Sequence, residues 1–336
     1  MICGNCAGCF ACGKYCSGCP GCHRLFQACG PGERCKLCPY VCPDRPGLPA
    51  FLAWRLGNTL ELEPVRTQKG VEFPEHLPLV ATRLFEEPPA DLSSWYALNA
   101  AKVSAEFWRS GGVRETYGFP PGSKVALSLY APDRSLEKFW LRRGERYRTI
   151  KEEFDAVFAP NFSVYEDSPR MEHLISMRRS NAVAAEMAKY GIPVVPDISW
   201  YNKEDLDRWI SCVEKSEISA AAFSFQTVGR SNKSSAAWQS YLAGLRYFHQ
   251  RVPEEMRIVL VGVNSLTRMA EVFRIVGERK VTFLDTLSFY TARKGGVLKA
   301  AGHERAKGVS RDGAFFESVR IFRERLRKAK KAGTDI

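Results

Sequence analysis

Seven apolar, β-branched or aromatic runs recur along the middle of this chain, and helix-period patterns lie between most of them. The runs are 77–84, 124–130, 156–162, 192–199, 220–226, 257–263 and 281–285. Strands separated by single helices must pair in parallel through crossovers. Helical patterns occupy 172–190, 202–215, 234–250 and 265–277. Gly191 sits where a C-cap is needed, and Asn202 sits where an N-cap is needed, with Glu204 and Asp205 in the following turn. Seven such strands, or eight if 60–66 joins them, predict an α/β fold with a (β/α) barrel-like body over about 230 residues. An open doubly wound sheet is the alternative, and no Gly-rich dinucleotide loop follows an early strand to support it. A chain of 336 residues can bury such a core without cross-links.

The body is flanked by two segments of different composition. Of the 12 cysteines, eleven fall in the first 42 residues and only Cys212 lies elsewhere. The formal net charge of +12 is also uneven. Residues 1–45 carry 5 basic and 2 acidic side chains, residues 46–298 carry 33 and 30, and residues 299–336 carry 11 and 5. The expected organisation is a Cys-rich segment (1–45), a barrel-like domain (46–298) and a basic C-terminal helix (299–336). No run of about 18 apolar residues occurs, so no membrane span is expected. Residues 1–6 lack a basic stretch leading into an apolar one, so no signal peptide is expected and the cytoplasm is the expected compartment. Nothing in the sequence specifies an oligomeric state.

Residues 1–45 are too poor in apolar periodicity to form a hydrophobic core. Their thiols are Cys3, Cys6, Cys9, Cys12, Cys16, Cys19, Cys22, Cys29, Cys35, Cys38 and Cys42, and four C-x-x-C turns can be drawn among them. Such a turn places two sulfurs on one metal, and thiolate ligation then does what apolar burial cannot. A disulfide framework is disfavoured by the odd count and by the absence of an export signal. The spacing Cys6-x2-Cys9-x2-Cys12-x3-Cys16 is that of a ferredoxin-type [4Fe–4S] run, and Cys35-x2-Cys38-x3-Cys42-Pro43 is like its second half. Zinc is the alternative, because Cys3/Cys6 with Cys19/Cys22 has zinc-ribbon spacing and His23 stands beside it. Cys212 reads as an inert buried thiol.

Three stretches of the body, Ala159-Pro160-Asn161-Phe162-Ser163-Val164-Tyr165, Gly191-Ile192-Pro193-Val194-Val195-Pro196-Asp197-Ile198-Ser199-Trp200 and Phe223-Ser224-Phe225-Gln226-Thr227-Val228-Gly229, stand with Arg178 and Arg179 in one block. This block, residues 124–263, resembles a family of uncharacterised proteins carried by phages, plasmids and other mobile elements. Some members are labelled plasmid rolling-circle replication proteins. The family pattern more often carries Asp at the position of Asn161. The resemblance implies a domain of unknown function with a mobile-element association, and it supplies no catalytic residues. Rolling-circle nucleases of the common kind need a His-apolar-His pair, and no two of the five His here are close in sequence.

In a (β/α) barrel, function gathers at the C-terminal strand ends. Those ends carry Asp133, Asn161, Asp197, Trp200, Gln226, Asn264 and Asp285. Asp197, Asp285 and Asp133 are the candidate catalytic groups, as acid and base or as nucleophile and acid, or as Mg²⁺ ligands. Asn161, Gln226, Asn264 and Trp200 would suit a base or sugar. Arg293 and Lys294, before Gly295 and Gly296, would suit a phosphate. Polar residues also cap strands and helices in any such fold, which is the plain alternative for each.

The tail pattern 313–332 places Phe315, Phe316, Val319, Phe322 and Leu326 at helical spacing. Arg320, Arg323, Arg325, Arg327, Lys328, Lys330 and Lys331 dominate its other faces, a footprint for nucleic acid or simply a solvated helix. Three functional readings remain open. The first is a metal-cluster-bearing protein that acts on or with nucleic acid. The second is a barrel enzyme using strand-end carboxylates on a phosphate-bearing ligand or a nucleobase glycosidic bond. The third is a non-catalytic binding protein. The cofactor expectation has a direct measurement. Anaerobically purified full-length protein is expected to contain iron and acid-labile sulfide and to absorb in the visible charge-transfer region. A colourless, zinc-only protein would overturn the iron–sulfur expectation in favour of zinc.

Overall fold

The computed structural model describes residues 60–67, 70–92, 94–165, 168–226, 228 and 235–334. The cysteine segment, and with it the expected metal ligands, lies outside these residues.

Eight parallel strands form one sheet: β1 (His76–Val80), β2 (Trp95–Asn99), β3 (Lys124–Ser128), β4 (Ala156–Phe158), β5 (Val194–Val195), β6 (Ala220–Ser224), β7 (Arg257–Val261) and β8 (Val281–Asp285). Their order is β5-β4-β3-β2-β1-β8-β7-β6. The seam between β5 and β6 is held by a parallel bridge of Asp197 with Ala222. Ala222 N–H donates to the Pro196 carbonyl at 2.9 Å, and Ile198 N–H donates to the Ala222 carbonyl at 2.8 Å. The sheet is thus a nearly closed barrel, as the alternation of runs predicts.

One strand differs from expectation. The eighth member is Trp95–Asn99 and not 60–66. Residues 60–66 lie outside the barrel and make one isolated bridge, Arg66 with Glu217. Pro64 removes a ladder donor there. The neighbouring N–H groups are satisfied by side chains, Glu63 by Asn181 Oδ1 and Val65 by Ser216 Oγ.

Helices α1 (Phe107–Ser110) and α2 (Val113–Tyr117) join β2 to β3. After β3 the crossovers are single helices, namely α3 (Asp133–Glu153), α4 (Arg170–Lys189), α5 (Lys203–Glu214), α6 (Ala236–His249) and α7 (Leu266–Val276). Asn202 caps α5 through a reciprocal capping box with Asp205, and Ser235 and Ser265 accept N–H groups at the starts of α6 and α7. After β8 come α8 (Ser288–Arg293), an antiparallel hairpin of β9 (Gly296–Leu298) and β10 (His303–Arg305), and α9 (Arg311–Thr334). No helix among the described residues is long and apolar enough to cross a membrane.

Residue parity sorts each strand into an inner and an outer row. Leu77 and Leu79, Trp95 and Ala97, Ala126 and Tyr130, Ala156 and Phe158, Ala220 and Ala222, Val259 and Val261, and Leu284 form the inner cluster. Alanine is frequent in this row, and three rings occupy the space it leaves. Phe73, from the segment before β1, lies 4.9 Å from Trp95 and 5.4 Å from Phe158, centroid to centroid. These rings plug the interior, so the barrel is a packed core. The outer rows pack under the helices in two larger clusters.

Helix α9 is docked along its apolar stripe. Phe315, Phe316, Val319, Phe322 and Leu326 are all buried, as the tail periodicity predicts. Loss of the plug should be costly, because the barrel wall cannot collapse into the void. Phe73→Ala is expected to destabilise the protein by about 3–5 kcal/mol, read as a lower urea midpoint at unchanged slope.

Candidate functional site

Parity continues past the strand ends and decides which side chains enter the C-terminal mouth. On β2 the inward row ends at Asn99, on β3 it passes through Ser128 to Tyr130, and beyond β5 it reaches Asp197. Tyr130 and Asn161 converge on the Asp197 carboxylate. The Tyr130 hydroxyl donates to Oδ1 at 2.5 Å, and Asn161 Nδ2 donates to Oδ2 at 3.0 Å. The Asp197 side chain is 1 % exposed. Burial raises its carboxyl to about 7, and the hydrogen bonds from Tyr130 and Asn161 restrain a larger rise. Burial, and then the neighbouring Asp197 charge, push the Tyr130 hydroxyl well above its ordinary range. The pair therefore carries a carboxylic acid that titrates near neutrality and a phenol that stays protonated.

The loop after β4 organises this region. Asn161 reaches inward to Asp197, while two residues later Ser163 turns to Asp133, its hydroxyl donating at 3.0 Å. Tyr165 donates to the other Asp133 oxygen at 2.8 Å. His173 Nε2 contacts the Tyr165 carbonyl at 2.6 Å, and burial lowers this imidazole to about 4. The ring is neutral at physiological pH, so Nε2–H is the donor. Arg170, at the start of α4, grips both Asp205 oxygens in the first turn of α5. The loops after β4 and β5 are thereby tied together around the acid.

Two further polar groups lie on the inward rows of β2 and β3. Asn99 donates from Nδ2 to the Tyr290 hydroxyl at 3.0 Å and accepts the Ala101 N–H through Oδ1. The Ser128 hydroxyl is buried and has no hydrogen-bond partner among the described residues. Ser128, Tyr130, Asn99 and Tyr290 are absent from the sequence-derived ring. The inward parity of 126, 128 and 130 in the run 124–130 carries the signal for Ser128 and Tyr130. Asn99 has no such signal once its strand is overlooked.

Of the expected ring, the structure brings together Asp197 and Asn161. Asp133 stands at the rim in the contacts just described. Asp285 has the opposite parity and faces the helix layer. Its Oδ1 accepts the Leu287 and Ser288 N–H groups at 2.9 Å, and its Oδ2 meets Ser288 Oγ and, at 3.1 Å, His76 Nε2. It is wholly buried there as a cap for α8, away from the mouth. Trp200 also turns outward, stacking near Phe223 and Tyr241. Its indole lies so close to Gly244 on α6 that no Cβ fits there. Gln226 is exposed beyond β6, and its N–H contacts Ser224 Oγ at 3.3 Å. Asn264 is half-buried, with its carbonyl accepting from Arg325 and its Oδ1 buried without a partner among the described residues. Arg293 pairs with Asp312 at 2.8 Å and covers the Phe289 ring, while Lys294 is exposed. No group of three or more His, Cys, Asp or Glu among the described residues is placed to hold a metal ion.

The basic face of α9 is largely engaged within the fold. Arg325 is buried and donates to the carbonyls of Lys299 and Gly302. Arg323 donates to the Asp91 carbonyl and approaches His76 Nδ1. Arg320 pairs with Asp91, Lys328 with Glu324 and Lys330 with Glu75. Arg327 and Lys331 are exposed.

A family model described as a domain of unknown function (DUF4417) matches residues 115–276. No curated protein matches the chain. The matched stretch spans β3 to α7 and contains Ser128, Tyr130, Asn161 and Asp197. Asn99 and Tyr290, which complete the polar side of the mouth, come from outside it.

The raised Asp197 pKa has a stability consequence with a definite sign. In the unfolded chain the carboxyl ionises near 3.8, and in the folded protein near 7. Between those values unfolding releases a proton, so the contribution is complete below the lower value and is lost as pH rises through the upper one. Asp197→Asn removes the dependence, because an amide does not titrate, and a flipped Asn161 amide can accept from the new Nδ2. The variant is expected to exceed the parent at about pH 8 by on the order of 2–4 kcal/mol and to lose that margin at about pH 4, in urea melts at both.

Proposed function

We propose that this barrel is an enzyme in which Asp197 transfers a proton to or from a small, uncharged polar ligand held in the C-terminal mouth. The observation that carries the reading is a wholly buried carboxyl raised to about 7 and bonded to Tyr130 and Asn161. General acid–base catalysis works best with a group whose pKa lies near the working pH, and buried carboxyls shifted this way gather at reactive sites. As the carboxylate, Asp197 takes a proton from the ligand or from a water beside it. As the acid, it returns the proton to a leaving group. Tyr130 and Asn161 orient the carboxyl and do not compete for the proton, since one stays a neutral phenol and the other is an amide. Cleavage of a nucleobase glycosidic bond fits this chemistry. A phosphate-bearing ligand has less support, because Arg293 is committed to Asp312.

On this reading the eleven-cysteine segment adds a metal–thiolate module, iron–sulfur or zinc, to a catalytic body. The cations exposed on α9, Arg327, Lys328 and Lys331, offer a surface to nucleic acid or another polyanion.

The test is a turnover screen of the full chain against nucleosides and small glycosides, followed by chromatography of the released base or sugar. Conversion is expected with a pH–rate inflection near 7. Asp197→Asn is expected to lower kcat by about 10²–10⁴-fold with little change in KM. No conversion of either class, or conversion that is indifferent to Asp197→Asn, would overturn the proposal.

A further inference from the structure

Helix α3 carries a cation at every fourth position from its first turn, namely Arg134, Lys138, Arg142 and Arg146. Residues four apart form one ridge on a helix surface, rising about 6 Å per step. Arg134, Lys138 and Arg142 are exposed, and Arg146 is half-buried. None of the four has an ion-pair or hydrogen-bond partner for its side chain among the described residues. The acids of the same helix are committed elsewhere. Asp133 accepts from Ser163 and Tyr165, Glu137 pairs with Arg179, Glu152 pairs with Arg148, and Glu153 accepts the Val113 N–H. Glu145 is the carboxylate of α3 left beside the ridge. Burial and then the Arg142 charge lower the Arg146 guanidinium from its ordinary value, and the opposing pull of Glu145 is the weaker effect. Other cations of the helix layer are treated differently, since Arg143, Arg178 and Lys203 each meet a carboxylate.

Like charges four residues apart repel one another and disfavour their own helix. A polyanion laid along the ridge relieves that repulsion, and the geometry says which kind. A step of about 6 Å is comparable to that between successive phosphates of a nucleic-acid strand. A membrane surface fits poorly. The apolar residues Leu136, Phe139, Tyr147 and Ile150 of α3 are buried in the body, and Leu141 alone is left to enter a bilayer. A duplex fits poorly too. Arg143 ties α3 to Glu186 of α4 on one flank, and Trp108 of α1 lies against Arg146 on the other, so α3 does not project as a helix entering a groove must. A single strand bends to follow such a surface. Arg146 adds a stacking platform, its guanidinium held 4.7 Å from the Trp108 centroid and 5.6 Å from that of Phe139. We propose that α3 is a docking ridge for single-stranded nucleic acid, with Arg134, Lys138 and Arg142 on successive phosphates and Arg146 against a base. The ridge lies on a different element from the cations exposed on α9, and it stands independently of the acid–base reading because no residue of the mouth enters it.

The experiment is fluorescence anisotropy of the full chain with a labelled oligothymidylate of about 20 nucleotides over a range of salt. The strand is expected to bind, and more weakly as salt rises. The triple variant Arg134→Gln/Lys138→Gln/Arg142→Gln is expected to raise Kd about tenfold or more and to cut the log–log salt slope by about 2, from three phosphates at about 0.7 each. Its melting temperature should stay level or rise, since repelling charges have been removed. Absence of binding by the parent protein overturns the proposal. So does unchanged affinity in the triple variant, which together with a loss in Arg327→Gln/Lys331→Gln would move the contact to α9. A duplex of the same length is expected to bind more weakly at matched salt, and tighter duplex binding would refute the choice of a single strand. Vesicles of phosphatidylserine and phosphatidylcholine are expected not to sediment the protein. Sedimentation with vesicles and no binding of the strand would replace nucleic acid by a membrane. Arg146→Lys keeps the charge and loses the planar stack, so it should weaken the strand about threefold at unchanged salt slope. Unchanged affinity in that variant would remove the base contact from the proposal.

Discussion

The seam between β5 and β6 rests on two backbone hydrogen bonds around Ala222, and Asp197 is the residue bridged to it. The backbone groups on either side of Asp197, the Pro196 carbonyl and the Ile198 N–H, close the barrel, and Asp197 between them turns its carboxyl inward. β5 is only two residues long, so little other ladder is available to fix this edge. The position of the acid is therefore not free to drift. Any rearrangement that moved it would open the sheet. An acid buried in this way would relax its environment if the backbone could yield, and the closed ladder prevents that. Rigidity of the fold and perturbation of the carboxyl thus have one origin.

The outer wall has its own polar anchor. Asp285 caps the start of α8 and meets His76 across the β1–β8 pair, and His76 stacks on Phe322 at 4.9 Å. Arg323 approaches the other His76 nitrogen. With Nδ1 facing a guanidinium N–H, Nδ1 is the acceptor and Nε2 carries the proton toward Asp285. One imidazole thereby links β1, β8 and α9. The terminal helix is fastened by both its phenylalanine stripe and this polar network, so its positive charge overlies a surface it also helps to hold together.

Much of this architecture is legible in the sequence because parallel strands buried on both faces appear as short continuous apolar runs. Seven runs were visible for that reason. Trp95-Tyr96-Ala97-Leu98-Asn99 is obscured because no long helical pattern flanks it: a 3-10 turn follows at once, then two short helices. The stretch 60–66 has the opposite property. Its Leu-Glu-Leu-Glu alternation imitates a half-exposed strand, although the backbone donors there are satisfied by Asn181 and Ser216. Local pattern cannot report which partner a backbone group finds.

The candidate site divides along the same line. Asp197 and Asp285 look alike in sequence, since each follows an apolar run and precedes a helix. They differ in parity, and that single-residue difference sends one into the mouth and the other beneath the helices. For β8 the rule can be applied without coordinates only if the register is known, because Phe283 and Leu284 are equally apolar. For β3 it can be applied directly, because Ser128 interrupts the run and Tyr130 shares its parity. A polar residue inside an otherwise apolar inward row costs free energy unless something pairs with it. Tyr130 is paired with Asp197, and Asn99 with Tyr290. Ser128 is the member of that row whose partner the polypeptide does not supply among the described residues. That singles it out more sharply than any strand-end carboxylate does.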